Sequence, residues 1–167
     1  MKKALLLVVF LGIVSAVSGL CVGYVNSITA PIIEERLIAA EKETLEMMFP
    51  NAEFEAIEED NEYITSIYRV AQGGYAVKLE TKGYNGSTPI ICLVGFDQDG
   101  TIFDLIVLQQ QETDGFGTRV FEDVNIDTLY VGKTLDQGVD LLSGATVTSS
   151  AMQRALTSVQ EFIKGLN

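Results

Sequence analysis

The apolar and polar positions of this chain divide it into three stretches with different periods. After Lys2 and Lys3, the residues from Ala4 to Val25 run without a single charge. Roughly 22 residues at about 1.5 Å rise make a helix about 33 Å long, enough to cross a hydrocarbon core. Tyr24 stands where an interfacial aromatic belongs. In "TAPIIEERLIAAEKETLEMMFP", Ile33, Leu37, Ala40, Thr44 and Met47/Met48 recur near helical spacing, which predicts a helix that starts at Pro31, tolerated in a first turn, and ends at Phe49-Pro50. Four strand-like runs follow: Tyr63 to Val70, Gly74 to Thr81, Pro89 to Phe96 and Thr101 to Leu108. "DQDG" at 97–100 is a short hairpin connection in which Gly100 can take a positive φ, and strands joined this closely predict an antiparallel meander. A loop-rich region from Gln109 to Leu142 precedes a last helix in "SAMQRALTSVQEFIKGL". There Ala151, Met152, Ala155, Leu156, Val159, Phe162 and Ile163 form one apolar stripe, with Ser150 and Gln153 as a capping-box pair at its start.

The expected fold is α+β: one N-terminal transmembrane helix, then a small antiparallel sheet packed with helices. Residues 1–27 are the membrane helix and its flanks, 28–50 a juxtamembrane helix, and 51–167 an extracytoplasmic domain. The basic N-terminus places the start of the chain in the cytoplasm and everything after Val25 outside. That outer part carries all 23 acidic residues and nine of the 11 basic ones, a formal charge near −14. The competing reading is a cleaved signal peptide, since Val14-Ser15-Ala16 fits a small-residue cleavage rule, but apolar character continues well past that site. Cys21 as a lipoprotein cysteine is disfavoured by the bulky Leu20 before it.

Composition then removes whole classes of chemistry. The chain has no histidine and only two cysteines, Cys21 and Cys92. It cannot by itself build a Cys/His zinc site, a four-cysteine iron–sulfur cluster, a haem attachment motif or a histidine-based triad. Cys21 lies in the apolar run and Cys92 in a strand-like segment, so they form no disulfide framework. The net charge of −12 argues against nucleic acid and against a surface that reads anionic lipid. Redox work would need an organic cofactor or a partner's metal.

One stretch asks for more than packing. "DLLSGATVTSSA", residues 140–151, sets hydroxyls (Ser143, Thr146, Thr148, Ser149) and a Gly144-Ala145 pair beside a helix start. Capping accounts for Ser150 and in part for Ser149, but not for Asp140, Gly144, Ala145 or Thr146. Small residues leave the backbone approachable, and a helix N-terminus offers unpaired N–H groups with a partial positive end, the ingredients of a phosphate site. On spacing alone, a phosphate site and a plain capped turn both stand.

Asp140-Leu141-Leu142-Ser143-Gly144-Ala145-Thr146 resembles the Asp-x-x-Ser/Thr-Gly-Ala-Thr signature of the covalent FMN-binding domain family, which includes the G subunits of Rnf-type complexes and the C subunits of sodium-pumping NADH:quinone reductases. In that family a flavin transferase, using FAD, joins the FMN phosphate to the last threonine of the motif, here Thr146. "VLQQQETDGFGTRVFEDV" is similar to the family's Glu-Thr-Pro-Gly-Leu-Gly loop, with Glu112, Thr113, Gly115 and Gly117 matching. The order of parts also agrees: membrane helix, "GY.G" at 83–86, "GFDQDG", this loop, "GK" at 132–133, then the threonine motif. Asp114 and Phe116 replace the usual Pro and Leu, and Gln110 stands where a histidine is common.

The resemblance implies FMN carried covalently on Thr146, with the 112–117 loop against the isoalloxazine ring and Tyr84 either facing that ring or lying at the core or rim. It implies contacts from Ser143, Gly144, Ala145, Thr148 and Ser149, and recognition of Asp140 by the transferase. The implied function is an electron-carrying subunit, not catalytic alone, of an inner-membrane complex coupling ferredoxin–NAD electron transfer to sodium or proton export, with other subunits as partners. The alternatives are a quinone reductase C subunit or another extracytoplasmic flavin carrier, and, from a different class, a membrane-anchored non-redox binding or assembly module. Gly115 and Gly117 alone would only permit a tight turn. Lys78 and Lys133 read as solvated surface lysines.

Overall fold

The computed structural model describes residues 2–58, 61–122, 126–133 and 141–166. By internal contacts the chain divides into two compact units, Met1–Ala39 and Ala40–Asn167.

The first unit is the larger part of one long helix, α1 (Lys2–Met48). Its apolar side chains are exposed on all sides, from Leu5, Leu6 and Leu7 to Val25 and Ile28. An 18-residue window reaches a mean hydropathy of 2.7 with none of it buried, so the helix is long and apolar enough to cross a membrane. The break expected at Pro31 is absent: the proline lies inside the helix. Its missing N–H leaves carbonyls of the preceding turn in want of donors. In the turn before it, hydroxyls bond back to the helix, Ser27 Oγ donating to the Tyr24 carbonyl at 2.8 Å and Thr29 Oγ1 to the Val25 carbonyl at 3.0 Å.

The second unit is built on a five-stranded antiparallel meander, β1 (Phe54–Ile57), β2 (Ile64–Val70), β3 (Tyr75–Thr81), β4 (Ile90–Phe96) and β5 (Ile102–Gln109), in the order β1-β2-β3-β4-β5. The four strands expected from the sequence lie within a residue of their predicted ends. The 97–100 connection is tightened by Asp97, whose side chain accepts the N–H groups of Asp99 (3.0 Å) and Thr101 (2.8 Å), while Gly100 takes φ +78°. The edge strand β1 is not among those expected. Among the described residues, two short helices, α2 (Arg119–Glu122) and α3 (Ile126–Tyr130), occupy the loop-rich region, and α4 (Thr146–Leu166) follows it.

α4 lays Met152, Ala155, Leu156, Val159 and Ile163 onto Val77, Leu79, Cys92, Val94 and Phe96 of the sheet. Phe162 is only partly buried at the margin of that stripe. The opposite side of β2 and β3 receives the C-terminal end of α1. Glu41 accepts hydrogen bonds from Ser66 Oγ (3.2 Å), Tyr68 OH (3.3 Å) and Lys78 Nζ (2.7 Å). Lys78 is therefore not a solvated lysine: its side chain and that of Glu41 keep only 14% and 12% of their exposure. Lys133 is exposed. With both faces covered, every residue of β4 is buried, as strands with two covered faces require.

The cap of α4 also differs from the expectation. The helix begins at Thr146, so Ser150 sits a turn inside and its hydroxyl bonds back to the Val147 carbonyl at 3.0 Å. Ala145 occupies the cap position, its carbonyl accepting the first helical bond from Ser149 N at 2.9 Å. The capping box fails because the helix is extended backwards by the turn that Gly144, at φ +86°, and the bond from Ala145 N to the Leu142 carbonyl (3.0 Å) create.

Candidate functional site

At the start of α4 a small pocket of about 210 Å³ opens between Tyr84, Phe116, Gly117 and the run Gly144 to Thr148. Three separate segments meet there: the turn after β3, the loop after β5 and the first turn of α4. Because Ala145 has no side-chain oxygen, the N–H groups of the first helical turn have no capping side chain at that position, and they form the positive end of a 21-residue helix. Thr146, the first residue of α4, is exposed at the pocket. A larger and more polar cavity of about 300 Å³ lies elsewhere, between Glu62, Tyr63, Glu80, Thr81, Lys82 and Arg154, and holds none of the motif residues.

The hydroxyls of the motif are not equivalent. Thr148 is fully buried and its Oγ1 donates to Glu112 Oε2 at 2.7 Å while accepting Tyr84 N at 3.1 Å. Ser149 is buried too, and its Oγ donates to the Ala145 carbonyl at 3.0 Å within its own helix. Ser143 and Thr146 are exposed, and the Ser143 carbonyl accepts Arg119 Nη1 at 3.2 Å. Arg119 packs so closely on Gly144 that a Cβ there would stand 2.1 Å from the guanidinium. The motif thus brings one cation to within three residues of Thr146.

Glu112 organises the wall. Although an acid, it is only 8% exposed, and its carboxylate accepts Tyr84 N at 2.9 Å and Asn85 N at 3.3 Å besides the Thr148 hydroxyl. A Cβ on Gly83 would stand 2.7 Å from this carboxylate, and one on Gly117 would stand 1.8 Å from it. Two glycines of the sequence pattern are therefore spaces for Glu112. Gly115 does something else: it takes φ +72° in the open turn where Phe116 N and Gly117 N both donate to the Thr113 carbonyl at 3.1 Å. Gln110, standing where histidine is usual, accepts Glu112 N through its side chain at 2.8 Å.

Two aromatic rings form the pocket's rim. Tyr84 and Phe116 stack with centroids 5.3 Å apart and planes 9° from parallel, and each remains 52% exposed. In the sequence Phe116 stands out only as a departure from leucine. Its place at the pocket could have been suspected from its position between two glycines, where a large exposed ring has no packing reason. No sequence signal announces that Arg119 reaches Ser143, since this is a tertiary contact across 24 residues. Of the expected site residues, Tyr84, Gly117, Gly144, Ala145, Thr146 and Thr148 line one pocket. Glu112 is its support. Thr113 and Gly115 shape the loop, and Ser149 faces the protein interior. Asp140 lies outside the described residues.

Residues 83–161 match the FMN-binding domain family. The chain is 25% identical over 156 residues to the G subunit of the proton-translocating ferredoxin:NAD(+) oxidoreductase complex of Clostridium ljungdahlii, an alignment covering 87% of this chain and 83% of that protein. It is 28% identical over 118 residues to the G subunit of the ion-translocating oxidoreductase complex of Aliivibrio fischeri, covering 61% of this chain and 54% of the relative. It thus spans about half the length of the Aliivibrio protein. The segment that builds the pocket, from the turn after β3 to α4, is therefore the one that matches the FMN-binding domain family, in a chain similar along most of its length to the G subunit of a proton-translocating ferredoxin:NAD(+) oxidoreductase complex.

Proposed function

We propose that this protein is an electron-carrying subunit of a membrane complex that couples electron transfer between ferredoxin and NAD to sodium or proton translocation, and that it holds FMN covalently through Thr146. The observation that carries the reading is the contrast among hydroxyls: Thr146 is exposed in the pocket at the start of α4, whereas those of Thr148 and Ser149 are buried and engaged.

The residues present fit the cofactor. The first turn of α4 and the Arg119 guanidinium supply positive potential for a phosphate that the acidic domain would otherwise repel. Gly144 and Ala145 leave room for an ester at Thr146, and Tyr84 and Phe116 offer flat apolar faces to a planar ring system. At about 210 Å³ the pocket is smaller than the roughly 300 Å³ at which small-molecule sites begin, so part of a flavin mononucleotide would stay at the surface, where redox partners can reach it. When bound, the flavin supplies reversible uptake of electrons. The chain's own residues attach and orient it. Attachment consumes FAD: the Thr146 oxygen forms a bond to the FMN phosphorus, the pyrophosphate bond breaks, AMP leaves, and the hydroxyl proton passes to the transferase or to water. Asp140 would be read by that transferase. The basic start of α1 stays in the cytoplasm and the FMN-binding domain lies outside, where a covalent link removes dependence on free FMN.

The test is flavin fluorescence of the denatured protein, with intact mass, after co-expression with a flavin transferase. Wild type should give a fluorescent band and Thr146→Val a dark one, with the variant still folded. A fluorescent Thr146→Val would move the attachment elsewhere, and a dark wild type beside an active transferase would favour a non-redox anchored module.

A further inference from the structure

We propose that Glu112 is a positioning residue of the flavin pocket whose buried carboxylate keeps a negative charge behind the pocket wall and so makes the bound flavin harder to reduce. This rests on the FMN reading above and concerns the same site.

The carboxylate is held by dipoles: the Thr148 hydroxyl at 2.7 Å and the N–H groups of Tyr84 at 2.9 Å and Asn85 at 3.3 Å. Such bonds fix the carboxylate in place without cancelling its net charge. The shell is closely built, since Gly83 and Gly117 have no space for a Cβ beside the carboxylate and the Glu112 N–H is itself tied to Gln110. Three of the residues in contact with the carboxylate, Tyr84, Gly117 and Thr148, line the pocket. Residues that touch the carboxylate are thus among those that line the pocket. The same bonds tie the turn after β3, the 112–117 loop and the first turn of α4 to each other, so bracing and charge reside in one side chain. In a half-buried site a unit charge at this remove shifts an equilibrium that adds electrons by roughly tenfold. For a one-electron couple tenfold is about 59 mV.

Two substitutions separate the effects. Glu112→Gln keeps the shape and removes the charge, whereas Glu112→Asp keeps the charge and shortens the reach. The full chain is loaded by a flavin transferase, covalent flavin is verified by intact mass, and the midpoint potential is read by spectroelectrochemical titration. Glu112→Gln should favour the reduced flavin by roughly tenfold. Glu112→Asp should stay near wild type in potential while its native flavin fluorescence rises, because Tyr84 is less firmly held. Thr148→Val, which withdraws one hydrogen bond from the carboxylate, should shift the potential in the opposite direction to Glu112→Gln. It decides the matter if Glu112→Gln does not fold. An unchanged potential in a loaded Glu112→Gln, equal shifts in the Gln and Asp variants, or an unshifted Thr148→Val overturns the role of the charge while leaving the FMN reading intact. A wild-type protein without flavin by mass overturns both.

Discussion

At the residue scale, the glycines of the 112–117 loop and its neighbouring turn serve two different physical needs, and only one of them is legible in the sequence. Gly115 takes φ +72° with no atom near its absent Cβ, a conformational requirement that a Gly-x-Gly turn announces. Gly117 is required by space, since a Cβ would stand 1.8 Å from Glu112 Oε2. That need comes from a carboxylate folded back on its own loop, which no spacing rule reveals. Gly115→Ala should therefore cost about 1 kcal/mol, the strain of a positive φ. Gly117→Ala should cost more, about 1–3 kcal/mol, because Glu112 has to leave its donors or push the wall apart. Urea denaturation of the two variants checks the order, and equal losses would mean that Glu112 moves aside freely. The chemistry expected of Thr146 is legible because a seven-residue motif carries it. The inequality of Thr146 and Thr148 is not, since it depends on Glu112, which lies 36 residues from Thr148.

At the element scale, the strands with long apolar runs are readable, and the short edge strand is not. β2 to β5 carry clear apolar runs, whereas β1 is only Phe54–Ile57, with its two middle residues exposed, an edge strand held by pairing with β2. The stripe of α4 is readable from its period, but its first turn is not, because Thr146 to Ser149 are poor helix formers whose helicity is set by the Gly144 turn and by the core below. Proline misleads at position 31, where a long apolar helix continues through it. β4 supplies a prediction of its own. Burial pushes the Cys92 thiol up to about 12, and burial, with the nearby Cys92 second, pushes the Tyr130 phenol up to about 12. In the unfolded chain these groups ionise from their ordinary values of 9.0 and 10.0. Folding therefore keeps protons that the unfolded chain gives up, and this stability is complete below about pH 9 and lost as pH rises towards 12. The fall from Cys92 alone is on the order of 4 kcal/mol. Denaturation curves at pH 7, 9.5 and 11 should show it, and Cys92→Ala, though less stable at neutral pH, should lose less between 9.5 and 11.

At the scale of the whole molecule, the second compact unit begins inside α1 rather than at its end. The compact unit begins at Ala40, well before the residue 51 at which the sequence leads one to expect a domain. The reason is chemical. Glu41 and Thr44 are buried although polar, and Glu41 receives Lys78, Ser66 and Tyr68 from the sheet. The last turns of α1 thus belong to the domain's fold, whereas the large apolar residues from Leu5 to Ile28 are exposed. Acidic residues gathered after the apolar run suit a water-facing domain, and the apolar run is long enough to cross a membrane. A chain of residues 40–167 should then be soluble without detergent, fold cooperatively and accept covalent flavin. A chain of residues 52–167 should be less stable by about 3 kcal/mol, because it leaves the Lys78 ammonium half-buried without its carboxylate. Lys78→Met in the shorter chain should recover part of that loss, since the orphaned charge is then gone. Equal stability of the two chains would show that the Glu41 cluster merely rests on the sheet, and that the domain ends where the helix does.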